Sequence, residues 1–183
     1  MDKEYLFALH DHIDGERIYL RHVLLKDAED MHEYAKDEET TKFVFDRHES
    51  LEDTRKNIAK YFLSSPLGKY AIVLKETEKM IGTIDLRIEE THKKAELGYT
   101  VNKDYWGKGY ATEAGKMAIQ LGFEVFGLQR IFAFHDVRNP ASGKVMEKMG
   151  LTYEGYYRTN RFVKGEFVDD KCYSIIKEDY FSE

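Results

Sequence analysis

The chain has 183 residues, 42% of them hydrophobic and 34% charged, with a formal net charge of −6. That length and apolar content suit one domain over residues 1–183 with one core, and the acidic balance argues against a nucleic-acid binder, which needs a basic face. A lone Cys172 excludes an internal disulfide, and no run approaches the roughly 18 apolar residues of a membrane span.

The N-terminal stretch MDKEYLFALHDHIDGE is acidic and lacks the long apolar segment of a secretory signal, so a cytoplasmic protein without membrane contact is expected. Arg17–Val23 (RIYLRHV) alternates and predicts a first strand. Lys26–Lys36 reads as a helix with Ala28, Met31 and Ala35 inward. Ser50, with Asp53 three residues on, caps a second helix that ends at Ser64–Ser65–Pro66. Tyr70–Lys75, Met80–Ile88 and Ala95–Val101 predict three strands, the first two joined by a turn over Glu76–Lys79. Thr112–Phe126 has the strongest helical spacing. Arg130–His135 (RIFAFH) reads as a buried strand. Asn139–Met149 is a helix marked by Asn139 at its cap, Pro140 in its first turn and Gly150 past its end. Tyr153–Tyr157 and Phe167–Ile176 are closing strands, with a Lys164–Gly165 turn before the second. The strand–helix–strand run from Ala95 to His135 implies a parallel pair in a mostly antiparallel sheet.

Between a strand and the strongest helix lies YWGKGYATEA, residues 105–114. Amides at a helix start are unpaired and bind anions, and glycines let the backbone approach them closely. A phosphate or pyrophosphate is the natural ligand, with Lys108 offering a charge. A tight loop with two chance glycines is the alternative, and short glycine patterns alone do not decide. The loop is neither a Walker loop nor a dinucleotide fingerprint. One strand later, HDVRNPAS (residues 135–142) opens a second helix, so two helix starts reach one side of the sheet.

ELGYTVNKDYWGKGYATEA, followed by NPASGKVMEKMGL, resembles the GNAT superfamily of acetyl-CoA-dependent N-acetyltransferases, and more closely its RimJ/RimL-type branch. Gly109 and Ala111 match the last two positions of that family's phosphate loop. Trp106 stands where Gln or Arg is usual. The resemblance implies an α+β fold: a mixed, mostly antiparallel sheet of about seven strands, a splayed parallel pair, and helices on both faces. It implies acetyl-CoA as cosubstrate; no metal is expected, because the histidines lack ligand spacing. Pyrophosphate would lie on Gly107, Lys108, Gly109, Tyr110, Ala111 and Thr112 beside Trp106, and pantetheine along Tyr99, Thr100 and Val101. Asn139 would bond the pantetheine or thioester region, although a pure helix cap also explains it.

Direct transfer needs no covalent enzyme intermediate, so Cys172 reads as a core residue. The tyrosine that many relatives use to protonate the leaving thiolate is replaced by Met146, and Ser142 matches the serine given that part in the RimL-like pattern. The glutamate suggested there as base would fall near Arg161 or be missing. Glu96 leads as base, with Asp85 and His135 as further candidates, and each has a purely structural alternative. The other histidines show no metal-ligand spacing. The acceptor is an amine, either a protein N-terminus or a small molecule such as a polyamine or aminoglycoside. Its groove would be flanked by the helices of residues 26–65 and by Tyr157–Phe167. Glu33, Asp37, Glu38, Glu39, Asp46, Glu49, Glu52 and Asp53 would either line it or form a solvated face. A non-catalytic acetyl-CoA-binding module and a nucleotide binder are the competing readings, and oligomeric state is open, a homodimer included.

Overall fold

A computed structural model describes residues 2–182. Eight strands form one sheet: β1 (His12–Asp14), β2 (Ile18–His22), β3 (Lys69–Leu74), β4 (Met80–Glu89), β5 (Lys94–Val101), β6 (Arg130–Asp136), β7 (Thr152–Val163) and β8 (Glu166–Ile176). Their spatial order is β1-β2-β3-β4-β5-β6-β8-β7. Every pairing is antiparallel except β5 with β6. The helices are α1 (Lys3–Leu9), α2 (Ala28–Ala35), α3 (Glu38–Thr41), α4 (Leu51–Asn57), α5 (Tyr110–Gln120), α6 (Pro140–Lys148) and α7 (Lys177–Tyr180). α4 runs on into a π-helical segment, Ile58–Leu63.

Two apolar layers sandwich the sheet. Tyr70 and Ile72 of β3 face a core shared with Ala114, Ala118 and Met146 of α5 and α6. Their neighbours Ala71 and Val73 face a second core with Met31, Tyr34 and Ala35 of α2 and Ile58 beyond α4. A strand buried on both faces reads as an unbroken apolar run, as YAIVL does.

The sequence predicts about seven strands; the eighth is β1, whose three residues His12, Ile13 and Asp14 pair only with Arg21, Leu20 and Tyr19 of β2. α1 likewise has no counterpart among the expected elements; its one buried residue, Phe7, meets Phe126 at a ring separation of 4.4 Å. β7 extends well past Tyr153–Tyr157. It is mostly exposed and bulged at Tyr153/Gly155 and Tyr157/Arg161, so no alternation marks it. α5 begins at Tyr110, two residues before the expected start, and its continuation Leu121–Val125 is π-helical. Among the described residues no helix is long and apolar enough to cross a membrane, and no group of three His, Cys, Asp or Glu stands where it could hold a metal ion.

Candidate active site

The end of β5 leads through a short 3₁₀ turn, Lys103–Tyr105, into the glycine loop. Gly107 and Gly109 both take left-handed backbone, at φ 75° and 83°. Side chains resist that region, so the glycines are a conformational requirement. Gly109 is the residue from which α5 starts. Among the described residues, the amides of Gly107, Lys108, Gly109, Tyr110, Ala111 and Thr112 make no backbone bond; the first paired amide is Glu113 N–H, on Gly109 O. Such a row of open N–H groups at the positive end of a helix favours an anion.

Side chains hold the loop from behind. Arg17 donates to Lys108 O (2.7 Å) and to Glu113 Oε2 (2.9 Å), and its guanidinium stacks 4.6 Å from the Tyr110 ring centre. Trp106 Nε1 donates to Val101 O at 2.7 Å, tying the loop to the end of β5. Lys108 Nζ turns back onto Asp104 O. The open face of the loop therefore rests on backbone amides rather than on the lysine.

β5 and β6 pair only through Lys94–Arg130, Ala95–Ile131 and Glu96–Phe132. Beyond Glu96 the strands part, and the β6-facing backbone of Leu97 to Val101 has no strand partner. Tyr99 bridges the gap: its hydroxyl lies 2.9 Å from Ser142 Oγ and 3.0 Å from Ser142 O, in the first turn of α6. Burial pushes the Tyr99 phenol up to about 12, so it stays a neutral donor. Asn139 makes no cap bond with its side chain. It lines a small pocket of about 110 Å³ with Glu96, Gly98, His135, Ser142 and Arg161.

His135 is buried; its Nδ1 meets Asp136 O at 2.8 Å. Its Nε2 has no partner among the described residues and lies 2.8 Å from where a Cβ on residue 143 would stand, which explains Gly143. Glu96, half-exposed, accepts from Arg87 Nη2 at 2.8 Å. Cys172 is buried, and burial raises its thiol.

On the other face of the sheet, a cavity of about 590 Å³ lies under α2, α4 and the chain from Val44 to His48. Met31, Tyr34, Phe45 and Phe62 give it apolar walls, and Thr100 and Tyr99 reach it from β5. Its one deeply buried carboxylate is Asp85. In the sheet Asp85 stands between Lys69 and Gly98. Its Oδ2 accepts from the Tyr61 hydroxyl (2.5 Å) and from Arg87 Nη1 (3.1 Å). Burial raises its affinity for a proton above that of an ordinary carboxylate, against the opposing pull of Tyr61, Arg87 and Lys69. Gly98 opposite leaves room for the Arg87 guanidinium, which would stand 2.9 Å from a Cβ there.

The acidic stretch from Glu33 to Asp53 is mostly a solvated face. Glu33 pairs with Lys79, Asp37 and Glu39 with Lys103, Glu49 with Arg47, and Glu52 with Arg55. Of that stretch only Asp46 and Asp53 line the cavity. From Tyr157–Phe167 only Arg161 reaches the neighbouring small pocket, held by Asp170 at 2.6 Å. Sequence reasoning missed Tyr61 and Arg87. The available signal was Asp85 itself, a charge inside the buried run MIGTIDL.

Residues 17–152 match the family described as acetyltransferase (GNAT) domain. The uncharacterized N-acetyltransferase p20 of Bacillus licheniformis is 32% identical over 170 residues, covering 90% of this chain and 96% of that protein. The spermidine N(1)-acetyltransferase of Escherichia coli (strain K12) is 29% identical over 103 residues, 56% of this chain and 55% of that protein. A crystal structure of a GNAT-family acetyltransferase from Bacillus anthracis superposes with a TM-score of 0.81 at 30% identity, covering 91% of this chain and 99% of that one.

Proposed function

The chain belongs to the GNAT acetyltransferase family, and from that premise we propose that it acetylates a primary amine entering from the α2–α4 side of the sheet, as a small molecule or as a slender protein N-terminus. It is an acetyl-CoA-dependent N-acetyltransferase. The observation that carries the reading is the row of open amides from Gly107 to Thr112 beside the point where β5 and β6 part. That row suits a pyrophosphate, and the unpaired strand backbone near Tyr99, Thr100 and Val101 suits the amides of a pantetheine arm. Val101 O already accepts from Trp106 and the backbone of Thr100 pairs with Thr83 of β4, so Tyr99 would carry more of that contact. Asn139, free of capping, would bond the same arm.

Sulfur leaving from the split would find the Ser142 hydroxyl, itself bonded to Tyr99. A proton passed through that pair would neutralise the thiolate, and general acid help of this kind contributes on the order of 10²–10⁴-fold. The cavity of about 590 Å³ falls in the range of small-ligand sites. A small amine fits it wholly, and a protein acceptor fits with its first residue. The partial likeness to a spermidine acetyltransferase, with Asp46 and Asp53 lining the cavity beside Asp85, favours an acceptor with more than one ammonium group.

Thiol release from acetyl-CoA, measured over n-butylamine, spermidine, an aminoglycoside and peptides with free N-termini, tests the reading. Turnover is expected, and highest on spermidine. Acetyl-CoA binding without turnover on any amine would favour a non-catalytic binding module instead.

A further inference from the structure

Acetyl transfer to an amine begins with a proton to remove. An alkyl ammonium has no lone pair, so a base must take its proton before nitrogen can attack. The base must lie on the acceptor's side of the sheet, close to where the thioester rests. It must also have an oxygen that the protein itself leaves free.

Glu96 meets this poorly: its Oε1 holds Arg87 and its side chain is 37% exposed. His135 has a free Nε2, but that nitrogen packs against α6. Asp85 meets all three conditions. It is 7% exposed and lines the acceptor cavity. Its strand neighbour Gly98 lies two residues past Glu96, the last β5 residue paired with β6. Both of its protein hydrogen bonds fall on Oδ2; Oδ1 accepts none among the described residues and is not sealed from the cavity.

We propose that Asp85 is the catalytic base: Oδ1 binds the acceptor's ammonium group and takes its proton, while Tyr61 and Arg87 hold Oδ2. This rests on the amine-acetyltransferase reading above. The ammonium gives one proton to Oδ1 and becomes a neutral amine. Its lone pair forms the C–N bond to the acetyl carbon, and the C–S bond breaks. The second nitrogen proton balances the one that sulfur receives, so the products are amide and free thiol. Asp85 returns its proton to solvent through the open cavity.

The surroundings suit the task. Lys69 from β3, Arg87 on β4, Glu96 from β5, Tyr34 from α2 and Tyr61 beyond α4 are the titratable and charged groups nearest Asp85, and Asp46, Arg47, His48 and Asp53 line the same cavity. Arg87 is shared with Glu96, so one guanidinium serves two carboxylates and a negative charge is left for the incoming cation. Lys69 Nζ is turned aside, onto Tyr61 O and 3.8 Å from the Tyr61 ring centre. The burial of Asp85 beside the apolar walls lowers the local dielectric and strengthens the contact between carboxylate and ammonium.

The test is the pH dependence of kcat/KM with spermidine for wild type, Asp85→Asn, Tyr61→Phe and Glu96→Gln, with acetyl-CoA affinity measured on each. Wild type should lose activity as pH falls through an acid limb above the ordinary aspartate range. Asp85→Asn should bind acetyl-CoA as wild type does, lose at least a hundredfold in rate, and show no acid limb below the titration of the amine itself. Tyr61→Phe removes a hydrogen bond that favours the ionised carboxylate, so its acid limb should move to higher pH. Should wild type turn over butylamine but not spermidine, the acceptor is corrected and the same profiles taken with butylamine decide the base by the same criteria. An acid limb that survives in Asp85→Asn, or one that disappears only in Glu96→Gln, overturns the assignment.

Discussion

The two halves of the site are built from different materials. On the α5 side the groups proposed to meet the ligand are main-chain amides, made available by two left-handed glycines and a helix start. On the α2–α4 side they are side chains drawn from distant parts of the chain, with Tyr61 meeting Asp85 across 24 positions. A backbone site tolerates changes of side chain, so on this proposal Trp106 can stand where a polar residue is usual. A side-chain site does not, and each of its members is a point of failure. The first half suits a constant ligand such as acetyl-CoA. The second can vary with the acceptor.

Substitutions at the seam and on the backbone side can break this contrast. Ser142→Ala takes away the hydroxyl that Tyr99 holds at the split. It should lower kcat by about 10²-fold with little change in the KM for acetyl-CoA, a split visible in steady-state kinetics. Equal loss in both parameters would make Ser142 a binding residue instead. Gly109→Val forces a β-branched side chain to φ 83° at the start of α5. Strain of about 1–3 kcal/mol should weaken acetyl-CoA binding about tenfold or more by calorimetry. Gly107→Ala, at φ 75° with no atom within 4 Å of an added Cβ, should cost less than Gly109→Val. Arg17→Ala removes the brace on Lys108 O and Glu113 but no amide. Arg17 is a positioning residue in this account, so its loss should raise the KM for acetyl-CoA a few-fold and leave the pH profile unmoved. The contrast fails if Arg17→Ala costs more than Gly109→Val, because the arginine would then be the anion site.

The same contrast explains what the sequence could show. The glycine loop and the Asn139–Pro140 helix start are local patterns, legible because backbone geometry restricts which residues stand there. The parting of β5 from β6 followed from the family resemblance rather than from the strands themselves. β7 was under-read because an exposed, bulged strand carries no alternation. The acidic run of Glu33–Asp53 reads as either a groove lining or a solvated face. Only the lysines and arginines that pair with most of it, among them Lys79 and Lys103 from distant segments, show it to be a solvated face. Asp85 was visible as a buried charge, but its free Oδ1 depends on Tyr61 and Arg87 both meeting Oδ2, which no spacing reveals.

The central claim is that acetyl-CoA seats its pyrophosphate on the open amides at the start of α5. A nitrogen–proton correlation spectrum recorded while coenzyme A is added tests it directly, because the Gly107 and Gly109 signals fall in a region apart from most others. The account predicts that both move and saturate together with Tyr110, Ala111 and Thr112. Saturating binding that leaves those signals in place would contradict it.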